Sequence, residues 1–391
     1  MKSIFGISMA IAASALFAGC GNNDVPDFTA KTVELHTKAV GQVEVAAATG
    51  TATQILFWDQ ENFDKLLAKD ATAAALFSSF LDRDVDYYRY NNGNGFVFRT
   101  SHAYPDGNQL VYASGISPAE AFQFGSGGYL EADVPERYQN GRTDFLCCDG
   151  ITTRSGSFNH PFTSSEEQEL KYRHLTAKIL LVGYRSEAME GTVGVRDVQI
   201  HLRGNGGTEL AVPTQFKLVT NEGHDGYSST DRFSYQISAK KTLTDGLTLR
   251  DVGTINIGEQ KLLDSCFVVS GNIAYGRNAD TNVFDPFAVS GGGVPYDNGH
   301  AINLSDDQNP VLYMDVTATM FVSGNESEQY SYTWENQKVE IDSHAATGSM
   351  FCPGYEYRIY IQFDRAGVSL RGEEVPWEDG GLHVLPVTPK N

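Results

Sequence analysis

The first residue with distinctive chemistry in this 391-residue chain is Cys20, which stands at the end of an apolar run. Lys2 precedes a mostly apolar stretch over residues 4–17, and the small residues Ala18 and Gly19 lead directly into the thiol. A basic start, a short apolar segment and small residues before the cut are typical of a secretory signal, and the segment is shorter than a typical membrane-spanning helix. Residues 1–19 are therefore predicted to be a signal peptide.

Residues 16–20, Leu-Phe-Ala-Gly-Cys, match the lipobox of bacterial lipoproteins. In that motif the thiol is alkylated with diacylglycerol, because sulfur forms a stable thioether, and the chain is then cut before the cysteine. The alternative is an ordinary cleaved signal followed by an incidental cysteine. The lipobox favours lipidation of Cys20, with residues 20–28 as a tether and the membrane as a partner through acyl chains.

Patterns for catalysis or metal binding do not occur elsewhere in the sequence. The nine histidines form no H-E-x-x-H or H-x-H pair, and no G-x-S-x-G motif is present. Asp82, Asp84 and Asp86 have the spacing of a calcium loop, but Tyr87 stands where such a loop needs glycine. We therefore expect no catalytic residue, no metal site, no cofactor and no enzymatic activity, although a zinc site assembled from distant residues stays open.

Charge and composition narrow the class of protein further. The chain has 29 basic and 49 acidic residues, a net charge of -20, which repels phosphate backbones and argues against a nucleic-acid partner. Hydrophobic residues make up 41% and aromatic residues 11%, enough to build cores. Besides Cys20 there are Cys147, Cys148, Cys266 and Cys352; a disulfide between Cys266 and Cys352 and free thiols are both open.

Alternation of apolar and polar residues with period two dominates the chain after residue 27. It predicts strands over residues 28–40, 51–59, 174–184, 195–204, 310–324, 338–342, 353–364 and 366–381, and a turn followed by a strand over residues 104–114. One helix is expected over residues 62–81, and a loop with Asn-Gly turns begins at residue 82. We predict a mainly all-β fold with one helical insertion, arranged as antiparallel β-sandwich domains over residues 29–205 and 206–391.

The segment Asp-Tyr-Tyr-Arg-Tyr, residues 86–90, is the strongest candidate for a contact surface. Tyr87, Tyr88 and Tyr90 each offer an apolar ring with a polar tip, which suits glycans and other surface ligands. The alternative interpretation is that these tyrosines pack at the end of a strand.

Several motifs, in order, resemble those of the fimbrillin lipoproteins that build type V pili. After the lipobox come "TKA" at 37–39, "YPDGNQLVYAS" at 104–114, "DFLCC" at 144–148 before "LKYRHLTAKILL" at 170–181, and "FCPGYEYRIYIQF" at 351–363 followed by Trp377. The resemblance covers nearly the whole mature chain. It implies two transthyretin-like β-sandwich domains on an outer-membrane, cell-surface protein of the fimbrium.

The resemblance also implies an assembly mechanism in which a neighbouring subunit donates a strand to a groove, in a homo- or heteropolymer. In stalk subunits of the family a protease cuts after a basic residue and removes the first strand. Lys38, Arg83 and Arg89 are the matching candidates here, and residues 381–391 are the candidate donor. The family's best-known processing uses arginine, whereas this strand offers Lys38, so an anchor, accessory or tip role is an alternative. Host or bacterial surface molecules are expected ligands of an adhesive subunit.

Two functions of other classes remain as alternatives. One is a surface glycan-binding lipoprotein that captures polysaccharide for an outer-membrane transporter. The other is a surface hydrolase, for which the sequence offers no specific motif.

Overall fold

A computed structural model describes residues 32–39, 53–80, 86–89, 95–148, 150–151, 155–157, 159–160, 170–187, 189, 193–204, 209–220, 232–256, 258–270, 289–290, 294–297, 300–301, 311–342, 351, 354–364 and 367–376. These ranges contain 25 strands and one α-helix, so the mainly β fold class is confirmed. No helix in the described ranges is both long and apolar enough to cross a membrane.

The strands up to residue 174 are β1 (Thr32–Ala39), β2 (Gln54–Asp59), β3 (Phe77–Phe80), β4 (Asp86–Arg89), β5 (Gly95–Ala103), β6 (Val111–Ser117), β7 (Gln123–Phe124), β8 (Glu131–Asp133), β9 (Leu146–Cys148), β10 (Gly150–Ile151), β11 (Ser155–Gly156) and β12 (Leu170–His174). The helix α1 (Gln60–Leu67) follows β2. Short 3-10 turns occupy Asp106–Asn108, Ala119–Ala121, Gly128–Leu130 and Glu136–Tyr138.

The remaining strands are β13 (Ala177–Arg185), β14 (Val193–Gly204), β15 (Leu210–Thr220), β16 (Arg232–Thr242), β17 (Leu247–Ile255), β18 (Gln260–Ser270), β19 (Val289–Ser290), β20 (Val294–Asp297), β21 (His300–Ala301), β22 (Val311–Val322), β23 (Asn325–Asp342), β24 (Tyr355–Asp364) and β25 (Gly367–Pro376). Strands predicted around residues 28–40, 51–59, 104–114, 174–184, 195–204, 310–324, 353–364 and 366–381 are all confirmed in position.

A first sheet has the order β3-β2-β6-β9-β12-β1-β5-β4, with β11 beside β6. Strand β2 is buried on both faces, with Ile55 and Phe57 pointing opposite to Leu56 and Trp58. Phe57 stacks on Phe77 at 4.4 Å between ring centroids, and Phe77 stacks on His102 of β5 at 4.3 Å. Since β3 begins the sheet order and β5 lies near its other end, this sheet curls back on itself.

A second sheet has the order β10-β16-β15-β18-β13-β24-β25-β23-β22-β14-β17, and β19, β20 and β21 form a small third one. Most neighbours are antiparallel, as predicted, but β1–β12, β13–β24 and β23–β25 are parallel. In β24 the residues Tyr357, Ile359, Ile361 and Phe363 lie on one buried face, which is the alternation that the sequence shows.

Two large hydrophobic clusters hold the fold together. One brings Trp58, Phe122 and Cys147 against Phe216 and Tyr235 of β15 and β16. The other is built mainly from β13, β14, β17, β18, β22 and β24. Both clusters draw on strands from either side of the domain boundary at 205/206 suggested by the sequence, and that boundary stays a prediction.

The expected helix over residues 62–81 is wrong in length. Asp59 caps α1 by accepting a hydrogen bond from the Asn62 backbone N–H at 2.8 Å. The helix ends at Leu67 because Lys69 adopts a left-handed φ of 56° and Asp70 accepts from the Thr72 N–H. The segment from residue 82 likewise contains the strand β4 where a loop was expected.

Candidate functional site

Strand β1, the first in the described residues, occupies an interior position in the first sheet. Strand β1 pairs with β5 in antiparallel register, from Thr32 opposite Ala103 to Lys38 opposite Gly95. Its other edge pairs with β12 in parallel, with Thr37 opposite Leu170 and Ala39 opposite Tyr172. Both edges of β1 are thus in ladders, and without it the facing edges of β5 and β12 would hold unpaired N–H and C=O groups.

The connectivity of β1 is as informative as its register. Its successor in sequence, β2, does not pair with it but lies between β3 and β6. Residues 40–52 separate β1 from the next described residue, while its sheet partners lie far along the chain. The strand therefore fills its position, which we call the β1 slot, entirely through long-range pairing.

The sequence-predicted processing residues lie on both sides of β5. Lys38 is opposite Gly95 of β5 and Lys171 of β12. Arg89 belongs to β4 and is opposite Phe96 of β5, which in turn is opposite Thr37. Strand β5 therefore lies between Lys38 on β1 and Arg89 on β4. Arg83 and the lipidation candidate Cys20 lie outside the described residues.

The candidate contact tyrosines belong to the same region. Tyr87 and Tyr88 are residues of β4, opposite Phe98 and Val97 of β5, and β4 is the last strand in the order of this sheet. A strand, not the expected loop, therefore carries them. Tyr90 lies outside the described residues.

The end of β12 is fixed by a buried polar contact. The imidazole Nδ1 of His174 lies 2.8 Å from Oδ2 of Asp144, and His174 is buried. The Thr176 hydroxyl donates to Oδ1 of the same carboxylate at 3.5 Å. Because this hydroxyl points to the carboxylate, the trio does not have the order of a nucleophile, a base and an orienting acid. It ties the segment before β9 to the junction between β12 and β13.

The motifs that carry the fimbrillin resemblance meet at this junction. The Leu175 N–H donates to the Phe145 carbonyl at 2.7 Å, which joins the motif at 144–148 to that at 170–181. The Gly354 N–H donates to the Thr176 carbonyl at 3.1 Å, and β24 then runs parallel to β13. Strand β6, from the motif at 104–114, pairs with β9 at Ile116 and Cys147. Motifs far apart in sequence thus form one continuous structure beside the β1 slot.

A buried ionic cluster reinforces the second sheet. Nε of Arg358 donates to Glu356 at 2.5 Å, and Nζ of Lys178 lies 2.9 Å from the same carboxylate. The Tyr360 hydroxyl donates to Glu373 at 2.8 Å. Burial, with this hydrogen bond to Glu373, raises the pKa of Tyr360 to about 12. These contacts tie β13, β24 and β25 together.

The described residues contain no group of three or more His, Cys, Asp or Glu side chains that could hold a metal ion. Cys266 is a buried free thiol, and Cys147 and Cys148 are buried as well. Cys352 lies outside the described residues, so its pairing stays a prediction.

Sequence reasoning missed a row of aromatic side chains on β23. The strand was expected only over 338–342, yet it runs from Asn325 to Asp342. Its first part carries Tyr330, Tyr332 and Trp334 on one face, and the two tyrosines are exposed. The alternation in "EQYSYTWE", residues 328–335, is the signal that could have revealed it.

Comparison with known proteins gave matches among solved structures alone. No family model matches the sequence, and no curated protein matches it. A structure from Bacteroides uniformis, described as a "putative cell adhesion protein", is 12% identical and covers 90% of this chain and 99% of its own, with a TM-score of 0.39. One from Bacteroides ovatus with the same description is 12% identical, covers 89% of this chain and 98% of its own, and has a TM-score of 0.37.

A third match is the tip fimbrial protein Mfa3 of Porphyromonas gingivalis, with a C-terminal truncation. It is 11% identical, covers 88% of this chain and 99% of its own, and has a TM-score of 0.35. These three solved structures are described as two cell adhesion proteins and one fimbrial protein.

Proposed function

We propose that this chain is a non-catalytic subunit of a cell-surface fimbrium that joins its neighbours by strand addition at the β1 slot. The observation that carries the proposal is the interior position of β1 between β5 and β12. The next described strands in sequence, β2 and β3, do not occupy the place of β1, so a strand from another subunit can fill it with the same backbone pairing.

Lipidation at Cys20 is part of this proposal. The lipobox at 16–20 supports attachment to the outer membrane. A subunit that keeps Cys20 acts as an anchor, accessory or tip subunit. A subunit cut after Lys38 loses β1, opens the slot and acts in the stalk. A cut after Arg83 or Arg89 would also separate β2, α1 and β3 from the rest of the chain. Residues 381–391 are the proposed donor strand. The partners are other fimbrial subunits, together with the host or bacterial surfaces that an adhesive subunit contacts.

The mature N-terminus decides between these roles. Protein taken from its native surface is digested, and its first peptide is identified by mass spectrometry. An acylated Cys20 supports the anchor role and contradicts the stalk role. A first residue directly after Lys38, Arg83 or Arg89 supports strand exchange.

Polymerisation is tested separately with a chain that begins at residue 41 and so lacks β1. We expect this chain to form oligomers that resist detergent at room temperature and dissociate on boiling. A synthetic peptide of residues 29–40 should fill the slot and suppress the ladder, whereas a scrambled peptide of the same composition should not. A folded, monomeric chain that ignores both peptides would contradict the proposal.

A further inference from the structure

Three aromatic residues form a row on one face of β23, which we call the aromatic row: Tyr330, Tyr332 and Trp334. Their spacing of two residues places all three on the same side of the strand. The rings of Tyr332 and Trp334 are nearly parallel, with 5.8 Å between centroids and 17° between planes. Tyr330 is 60% exposed and Tyr332 is 42% exposed. Large aromatic surface is therefore open to solvent, and the planes of two of the three rings are nearly parallel.

The sheet beneath holds this arrangement in place. The row faces the same way as Met320, Ala318 and Val316 of β22, which are opposite its members in register and are buried. At the inner end, the Trp334 ring lies 6.0 Å from the ring of Phe363 in the second hydrophobic cluster. The rings thus need little ordering when a ligand binds.

The polar tips of the row are available to a ligand. Among the described residues, the hydroxyls of Tyr330 and Tyr332 and the indole N–H of Trp334 have no side-chain hydrogen-bond partner. Each ring therefore combines an apolar face with a free donor at its edge. This combination matches the faces of pyranose sugars, which carry C–H groups on the ring face and hydroxyls around the rim.

We propose that the aromatic row is a binding platform for a neutral polysaccharide. Stacking on three rings in a line suits an extended chain of sugars better than a single sugar. The charge of β23 indicates which class of polysaccharide can bind. The strand carries Glu328, Glu335 and Glu340, and Lys338 is its single basic residue. This acidity disfavours sulfated chains and chains of uronic acids.

Strand β23 pairs with β25 only at Ile341 and Asp342, so its first part forms an edge of the sheet. This edge is poorly shaped for an added polypeptide strand, which is the competing occupant. The register with β22 shifts between Met314 and Val316 and again between Phe321 and Val322. Asn336 adopts a left-handed φ of 52° at the first of these irregularities. Bulges and acidic side chains of this kind protect an edge against strand pairing, so the platform is favoured over a second slot.

The inference goes beyond a role as a structural subunit, because it gives the chain a ligand. The aromatic row belongs to the second sheet and the β1 slot to the first. Loss of one activity therefore does not imply loss of the other, and the two are measured separately.

The test is native affinity electrophoresis of the full chain in gels containing a mixed-linkage β-glucan, a galactomannan or a xylan, with polygalacturonate as the anionic probe. We expect at least one neutral polysaccharide to retard the protein and polygalacturonate to leave it unchanged. The double variant Tyr330→Ala/Tyr332→Ala should lose about tenfold or more in affinity for the retarding polysaccharide.

Two further variants separate binding from folding. Tyr332→Phe keeps the ring and should retain most of the retardation. Tyr313→Ala, on the opposite face of β22, removes a tyrosine from the same sheet and should change nothing. No retardation by any of the three neutral polysaccharides would overturn the proposal, as would a double variant that migrates like the parent chain. A double variant that loses self-association while glycan retardation persists would also overturn it, in favour of a strand-binding edge.

Discussion

A Cβ atom added to Gly115 would overlap the hydroxyl of Tyr172. Gly115 belongs to β6 and Tyr172 to β12, and these strands are second neighbours in the first sheet, with β9 between them. The fully buried Tyr172 ring thus packs directly on a residue that has no side chain. Since Tyr172 is also opposite Ala39 of β1, this contact lies at the wall of the β1 slot.

The variant Gly115→Ala should therefore destabilise the protein. The added methyl group has to displace a buried ring that cannot move into solvent, and such overpacking costs about 1–3 kcal/mol. Urea unfolding followed by circular dichroism measures the loss. The matched control is Gly125→Ala, because a Cβ at residue 125 meets no atom within 4 Å. Equal stability of the two variants would contradict the packing described for Tyr172.

The Tyr172 hydroxyl itself should be dispensable. It is buried and has no hydrogen-bond partner among the described residues, and burial holds its pKa well above the usual range. Tyr172→Phe removes an unsatisfied group, so the unfolding free energy should stay unchanged or rise by up to about 1 kcal/mol. Tyr235→Phe is the counterpart, because that hydroxyl donates to the Tyr129 carbonyl at 2.7 Å. It should lose about 1–2 kcal/mol, and the reverse order would refute both assignments.

Cys266 should not react with thiol reagents in the folded protein. Burial raises its pKa to about 12 from an ordinary value of 9.0, and the thiolate is the reactive form. Labelling with iodoacetamide at pH 8, without reductant, should leave Cys266 unmodified until denaturant is added. Peptide mapping by mass spectrometry provides the readout. A Cys266 that stays unlabelled in denaturant and reacts after reduction would instead indicate a disulfide.

Ionisation of the same thiol should lower the free energy of unfolding at alkaline pH. The unfolded chain ionises with a pKa near 9.0 while the folded state resists ionisation up to about 12. The stabilising contribution is therefore complete below pH 9 and is lost as the pH rises towards 12. Cys266→Ala should flatten this part of the curve of unfolding free energy against pH, and an unchanged slope would contradict the assignment.

Arg142 should contribute more to stability than an ordinary surface ion pair. Its guanidinium donates to Asp264 at 2.7 Å, to the Ser265 carbonyl at 2.9 Å and to the Thr248 carbonyl at 3.3 Å. It joins the segment before β9 to β17 and β18. Because Arg142 is partly exposed, we expect a loss of only about 1 kcal/mol for Arg142→Ala in urea unfolding.

The control for Arg142 is Lys65→Ala. Lys65 pairs with Glu61 across one turn of α1 at 2.7 Å and lies at the surface. The loss of stability in Lys65→Ala should be smaller than in Arg142→Ala, because solvent screens an exposed ion pair. A larger effect at Lys65 than at Arg142 would argue against a bridging role for the arginine.

Local patterns predicted the strands well and the helix poorly. The alternation from Tyr357 to Phe363 correctly predicted β24. One face of that strand packs in a core, and burial of one face produces a hydrophobic period of two residues. The helical period beyond Leu67 was fortuitous. Ala74 is bonded through its N–H to the Asn62 side chain, and Phe77 pairs with Phe57 in a strand. Tertiary contacts there overrule the local preference.

The slot and the aromatic row required the structure for different reasons. The place of β1 depends on which distant strands pair with it, and no spacing in the sequence encodes that Lys38 meets both Gly95 and Lys171. The alternation of Tyr330, Tyr332 and Trp334 with polar residues indicates a strand that carries the row on one face. The exposure of the two tyrosines required the structure, because exposure cannot be inferred from alternation alone.

Strand β12, the parallel neighbour of β1, continues through Leu175 and Thr176 directly into β13, a central strand of the second sheet. A tensile force applied along β1 would load its ladders to β5 and β12 in shear, so that many hydrogen bonds share the force at once instead of opening one by one. From β12 the force would pass through covalent bonds into β13 and from there into β18 and β24. The backbone route between the two sheets would thus carry a load on β1 into the core of the second sheet.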